Sequence, residues 1–251
     1  MPDMIDLFKK WWKQILFAII LSLTAVGIIV FLKPREFLST ATAVPASSFA
    51  ADKSTVFSEN IQTLYSTLGE PDDLDRIVGT AGLDTIYLAI ADQFNLWDHY
   101  KVKEKTRDKA AHYLHRHSKV MKTEYGELKV KVWDTDKELA PQLANALLDK
   151  LAAIHSDLYS AANKVVLQGL LERKKENSNG SDTATLNKLI SQYDLMMKTR
   201  PPALITVEKA RPAAWPDRPR RKQIMIATGL LSLLFSLFAV LLLERRKILR
   251  Y

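Results

Sequence analysis

The chain has 251 residues, 47% of them hydrophobic and 25% charged, with a formal net charge of +8 and no cysteine. These values exclude a disordered or collagen-like chain, a disulfide framework and a thiolate metal site. The average hides a strong asymmetry, because the apolar residues concentrate in two runs near the two ends.

In chain order, residues 1–14 read as a short basic tail. Ile15 to Leu32 follows as 18 residues without a charge. A helix of that length spans roughly 27 Å, which suits a hydrocarbon core of about 30 Å. Trp11 and Trp12 suit the membrane interface, and Lys9, Lys10 and Lys13 can snorkel to phosphates. A cleaved signal peptide is the alternative, with Ala41-Thr42-Ala43 as a small-residue cleavage site. Charged Lys33, Arg35 and Glu36 separate that site from the run and argue against it.

Residues 33–222 form one domain hung from both of its ends. Ser39 to Val44 alternates between Pro34 and Pro45, which predicts a short strand. Val56, Phe57, Ile61, Leu64, Tyr65 and Leu68 fall at helical spacing within Ser54 to Leu68, and Gly69 and Pro71 end that pattern. Further helices are predicted at Asp72–Ala81, Asp84–Leu96 and Asp98–His117. Val120 to Asp134 changes period and reads as a hairpin turning at Tyr125-Gly126. Leu128, Val130 and Val132 take one face of its second strand, and Lys129, Lys131 and Trp133 take the other.

From Asp136 the helical period returns. Leu139, Leu143, Leu147, Leu151, Ile154, Leu158, Val165 and Val166 make one stripe of a long helix reaching about Glu176. Asn177 to Asp182 reads as a turn, with Gly180 as a helix stop. Leu186, Leu189, Ile190, Tyr193, Met196 and Met197 then return as a second helix packed on the first. Leu204 to Val207 reads as a last strand. Residues 201–219 hold Pro201, Pro202, Pro212, Pro216 and Pro219, a stiff extended connector with Trp215 between two prolines. The second span, 223–243, contains Ile224 to Leu243, which is 20 residues without a charge. A buried core helix is the alternative for this run, but basic clusters flank it. Residues 244–251 form a basic tail.

Two spans put both tails on one side. Cations flank the spans on both sides, so the short tails decide, and they are expected in the cytoplasm with the domain translocated. The net charge is expected to meet anionic lipid. Nucleic acid is not an expected partner, since no nucleic-acid motif accompanies the charge.

No GxxxxGK[ST], GxGxxG or GxSxG motif is present. His112 and His115 have metal-like spacing, but no local carboxylate or thiol completes a site. Asp134 and Asp136 read as a strand end and a helix cap rather than a catalytic pair. No cofactor, metal or catalytic residue is expected.

Four segments resemble the polysaccharide co-polymerase family, the Wzz chain-length determinants. They are Met4-Ile5-Asp6-Leu7 with Trp11-Trp12-Lys13 and the first span; Leu128 to Leu148, carrying Asp134, Asp136, Ala140, Ala144, Asn145 and Ala146; the strand and proline-rich approach from Leu204 to Pro219; and Ile224 to Arg246. The resemblance implies an α+β periplasmic domain, a small sheet with a long helical hairpin, flanked by two transmembrane helices. It further implies a bacterial inner-membrane protein that assembles as a homo-oligomeric ring. Its expected partners are a membrane-embedded polymerase and a lipid-linked glycan, and its expected effect is on the length of an O-antigen or related polysaccharide. Pro212, Trp215, Pro216, Pro219, Asn145, Asp134 and Asp136 are its structural and assembly candidates.

Two features depart from the longer members of that family. The loop between spans is only about 190 residues, giving a short hairpin, and no kinase domain with a phosphate-binding loop is present. An activator of a separate tyrosine autokinase, or an export component, is therefore an alternative. A two-span sensor is a further one, although the eight residues after Leu243 leave no room for an output domain. A membrane-anchored glycan enzyme is the remaining reading.

Overall fold

The computed structural model describes residues 4–46, 71–102, 106–176, 183–200 and 202–248. The chain divides into two compact units. One joins Met1–Phe37 to Trp215–Tyr251, and the other is Leu38–Ala214.

The first unit is a pair of long helices, α1 (Met4–Leu32) and α8 (Arg221–Ile248). Both extend past the uncharged runs, because flanking charged residues can continue a helix whose backbone bonds are already made. Lys10 meets Glu244, Ile15 meets Val240, and Gly27 lies beside Met225. The residue numbers rise on one helix as they fall on the other, so the pair runs antiparallel. Ser22, Thr24, Thr228, Ser232 and Ser236 donate their hydroxyls to carbonyls three or four residues back. Each helix thus satisfies these hydroxyls within its own turns, the condition that lipid imposes. Within Lys9–Leu32 and Arg221–Glu244, 18-residue stretches have mean hydropathies of 3.0 and 2.5, yet only 11% and 6% of each stretch is buried. A core helix would be covered, so the second run is not one.

The second unit is α+β. Strand β1 (Phe37–Pro45) begins at the junction and is followed by α2 (Pro71–Thr80), α3 (Asp84–Phe94), the short α4 (Leu96–His99) and α5 (Arg107–Arg116). The hairpin β2 (Ser118–Lys122) and β3 (Leu128–Asp134) leads to α6 (Leu139–Glu176), α7 (Thr183–Thr199) and β4 (Leu204–Glu208). The sheet order is β2-β3-β1-β4, with β2/β3 and β1/β4 antiparallel. Gly126 takes φ +74° in the hairpin loop, a conformation that glycine adopts without steric cost.

Leu143, Leu147 and Leu151 of α6, with Leu128, Val130 and Val132 of β3, are fully buried in one core with Leu74, Ile86 and Leu114. Each such side chain contributes about 2 kcal/mol. Pro141 is tolerated in α6 because it lies in the first turn, where its missing N–H is not needed.

Three expectations change here. The single helix over Asp98–His117 is instead α4 and α5, with Asn95 and Lys101 both left-handed and Ser118 already in a strand. Asn95 ends α3 by donating its N–H to the carbonyls of Ala91 and Asp92, a local stop that no hydrophobic period reveals. Trp133, expected opposite the core face, is 8% exposed and therefore buried as well. The α6 stripe also leaves the core part-way along: Leu151 is buried, whereas Leu158 and Val165 are 56% and 68% exposed. The expected helix at Ser54–Leu68 and the turn at Asn177–Asp182 lie outside the described residues.

Candidate functional site

The candidate residues fall into two groups, one at each end of the β3–α6 corner and the proline-rich strap. At the corner, Asp134 closes β3 with its carboxylate fully buried. Its Oδ1 accepts from His99 Nε2 at 2.8 Å and from the Asp136 N–H at 2.8 Å, and its Oδ2 accepts from the Tyr100 hydroxyl at 2.9 Å. Three donors replace the water that burial removes. Burial, with the Asp134 charge beside it, pushes the Tyr100 phenol far above the ordinary tyrosine range, so it remains a donor. Tyr100 also packs on Tyr113, and Tyr113 stacks on His117.

Asp136 is exposed and does different work. Its Oδ1 accepts from the Glu138 N–H at 2.8 Å, and its carbonyl accepts from Ala140 at 3.1 Å, which starts α6. The two carboxylates are thus divided between a buried tie and a helix start.

Asn145 projects from α6 onto the strap. Its Oδ1 accepts from the Ala210 N–H at 2.8 Å, and its Nδ2 donates to the Ala210 carbonyl at 3.3 Å. An amide side chain carries the same donor and acceptor as a backbone peptide, so Asn145 stands in for a missing strand partner beyond β4. Ser39, 1% exposed on β1, donates to the Arg211 carbonyl at 3.0 Å. The strap is therefore pinned at consecutive residues immediately before Pro212, which has no N–H to pin.

Pro212 belongs to the second unit, while Trp215, Pro216 and Pro219 belong to the first. In the first unit the strap pairs with the exit of α1. Glu36 N–H donates to the Arg218 carbonyl at 2.9 Å, and the Asp217 N–H donates to the Glu36 carbonyl at 2.9 Å. The Arg218–Pro219 peptide is cis. Trp215 is 83% exposed.

His112 is exposed, whereas His115 stacks on Tyr87 with ring centres 4.3 Å apart. Among the described residues, no three His, Cys, Asp or Glu side chains surround a possible metal position. The sequence did not reveal that His99 and Tyr100 close on Asp134, or that Ala210 is the Asn145 partner. The available signals were an acid ending an apolar strand and an amide inside an apolar helix. A groove of about 520 Å³ also lies between α6 and α7, lined by Ala161, Lys164, Leu167, Leu171, Met197 and Arg200 among others.

No protein-family model and no curated protein matches this chain. Solved structures do. A full-length bacterial polysaccharide co-polymerase is 14% identical, with 100% of this chain and 99% of that chain covered, at a TM-score of 0.44. A fragment of WzzB, a polysaccharide co-polymerase from Salmonella Typhimurium, is 10% identical, with 73% of this chain and 100% of that chain covered, at a TM-score of 0.38. Both of these solved proteins are polysaccharide co-polymerases.

Proposed function

We propose that the chain is a non-catalytic, two-span inner-membrane co-polymerase that governs the length of a surface polysaccharide, O-antigen or a related glycan. Its tails lie in the cytoplasm and its α+β domain in the periplasm. Identical subunits form a ring beside a membrane-embedded polymerase and bind the lipid-linked glycan, with anionic lipid around the spans. A ring multiplies weak sugar contacts into useful avidity. The exposed Leu158, Val165, Leu171 and Leu195 of the helical hairpin give a second copy an apolar surface to cover.

The observation that carries this reading is the pair of bare apolar helices at the two ends of one folded domain. The order of the four co-polymerase-like segments along the chain adds the glycan pathway. The role of the candidate residues is then geometric. Asp134 and Asp136 set the β3–α6 corner, Asn145 sets the strap, and Pro212, Trp215, Pro216 and Pro219 lead it into the second span.

Deleting the gene and resolving the cell-surface glycan by gel electrophoresis tests this. Loss of the modal length is expected; an unchanged distribution overturns the proposal. The basic tail Arg245-Arg246-Lys247 favours a second reading, activation of a separate cytoplasmic kinase. Removing the tail separates the two, since length control by the domain survives that truncation and kinase capture does not.

A further inference from the structure

The first unit carries six cations where the spans enter the loop domain: Lys33, Arg35, Arg218, Arg220, Arg221 and Lys222, against Glu36 and Asp217. Cations close to a span hinder its flanking segment from crossing a membrane, so topology alone does not call for them on this side. They are drawn together rather than scattered. The Glu36–Arg218 bridge sets the segment after α1 against the segment before α8. The Arg221 guanidinium lies 4.7 Å from the Phe31 ring centre, and its Nη2 donates to the Lys33 carbonyl at 3.4 Å. Its Nε is buried with no hydrogen-bond partner. Arg220 is held by Asp217 at 3.3 Å. Lys33, Arg35 and Lys222 are exposed around this frame. Trp215, in the same unit, is also exposed, and an indole with one polar N–H suits the headgroup layer.

We infer that this collar is a binding site for the phosphates of anionic phospholipid headgroups, with Lys33, Arg35 and Lys222 as its phosphate-facing cations and Trp215 as its interfacial anchor. Arg221 is a positioning residue that holds the two span ends level. The inference rests on the two-span reading but not on glycan length control. Each cation near an anionic surface accounts for about a fivefold gain in affinity.

The test uses the full chain in detergent with equal phosphatidylglycerol and phosphatidylcholine, and counts retained lipids by native mass spectrometry. The parent protein is expected to retain phosphatidylglycerol preferentially. The triple variant Lys33→Gln, Arg35→Gln, Lys222→Gln is expected to lose that preference by about a hundredfold at unchanged circular dichroism. The tail variant Lys9→Gln, Lys13→Gln, with two cations removed at the other end of α1, is expected to lose less of it than the triple variant. A triple variant that retains the parent preference, or a tail variant that loses as much, overturns the inference. Displacement of the lipid by millimolar inorganic phosphate also overturns it, because the collar would then read soluble phosphate. In nanodiscs, the emission lost on Trp215→Phe is expected to be quenched by lipid brominated close to the headgroup. Quenching by aqueous iodide instead counts against the anchor. A chain that stays soluble without detergent sinks the two-span reading itself, whereas a chain that inserts without lipid preference sinks only the collar.

Discussion

The two units use the same residue types under opposite rules. In the core of Leu38–Ala214, leucines and valines are hidden, and buried or half-buried polar groups find partners far away in sequence: Asp134 with His99 and Tyr100, Asn145 with Ala210, Ser39 with Arg211, and His155 with Thr80. In α1 and α8 the leucines stand bare, and the hydroxyls bond back within their own turn. Water makes apolar burial favourable and tolerates exposed polar groups, while lipid does neither. The contrast is therefore a map of solvent, read residue by residue.

The sharpest way to break that map is at Asp134. Asp134→Ala leaves the His99, Tyr100 and Asp136 donors without their buried acceptor and is expected to cost about 4 kcal/mol, measured as the denaturant midpoint of the loop domain. A loss below about 1 kcal/mol would mean that water reaches the site. Next comes a paired test. Leu147→Ala is expected to cost about 3 kcal/mol, whereas Leu230→Ala, on an exposed position of α8, is expected to change stability by less than about 1 kcal/mol in detergent. Equal losses would place α8 in a protein core. Asn145→Ala removes the amide clamp and is expected to cost about 2 kcal/mol, with hydrogen exchange accelerated at Ala210. Ser232→Ala, which breaks only a bond within one turn, is expected to be near neutral.

The smallest expected effect is on pH dependence. The folded-state pKa of Tyr100 is raised by burial and then by Asp134, so the folded chain holds that proton more tightly than the unfolded one. The associated stability is complete below the ordinary tyrosine value of about 10 and falls as pH climbs beyond it. Tyr100→Phe is expected to flatten that alkaline decline, measured by unfolding at successive pH values. An identical slope in the variant would show that the phenol is not buried.

What the sequence made legible follows the range of the forces involved. The two long apolar helices, the β2–β3 hairpin and α6 are written in local periodicity, and the structure has all of them. Even the inward face of β3 is correct, with Leu128, Val130 and Val132 fully buried. Alternation assigns Trp133 to the exposed face, whereas tertiary packing covers it. The break around Lys101 is hidden for a related reason. Two left-handed residues stop a helix without interrupting its hydrophobic pattern. Asn145 and Asp134 stood out as polar residues in apolar surroundings. Their partners lie 65 and 35 positions away, and no spacing rule reaches that far.

The antiparallel pairing of α1 with α8 has a consequence for folding. Everything from Phe37 to Asp217 leaves and returns at one place, fixed by the Glu36–Arg218 bridge. For the denatured chain the membrane thereby acts as a cross-link. Tying the ends of a loop longer than a hundred residues removes conformational freedom equivalent to roughly 5 kcal/mol. A soluble fragment cut free of its spans forgoes that contribution, and its melting point is expected to understate the robustness of the same fold in its bilayer.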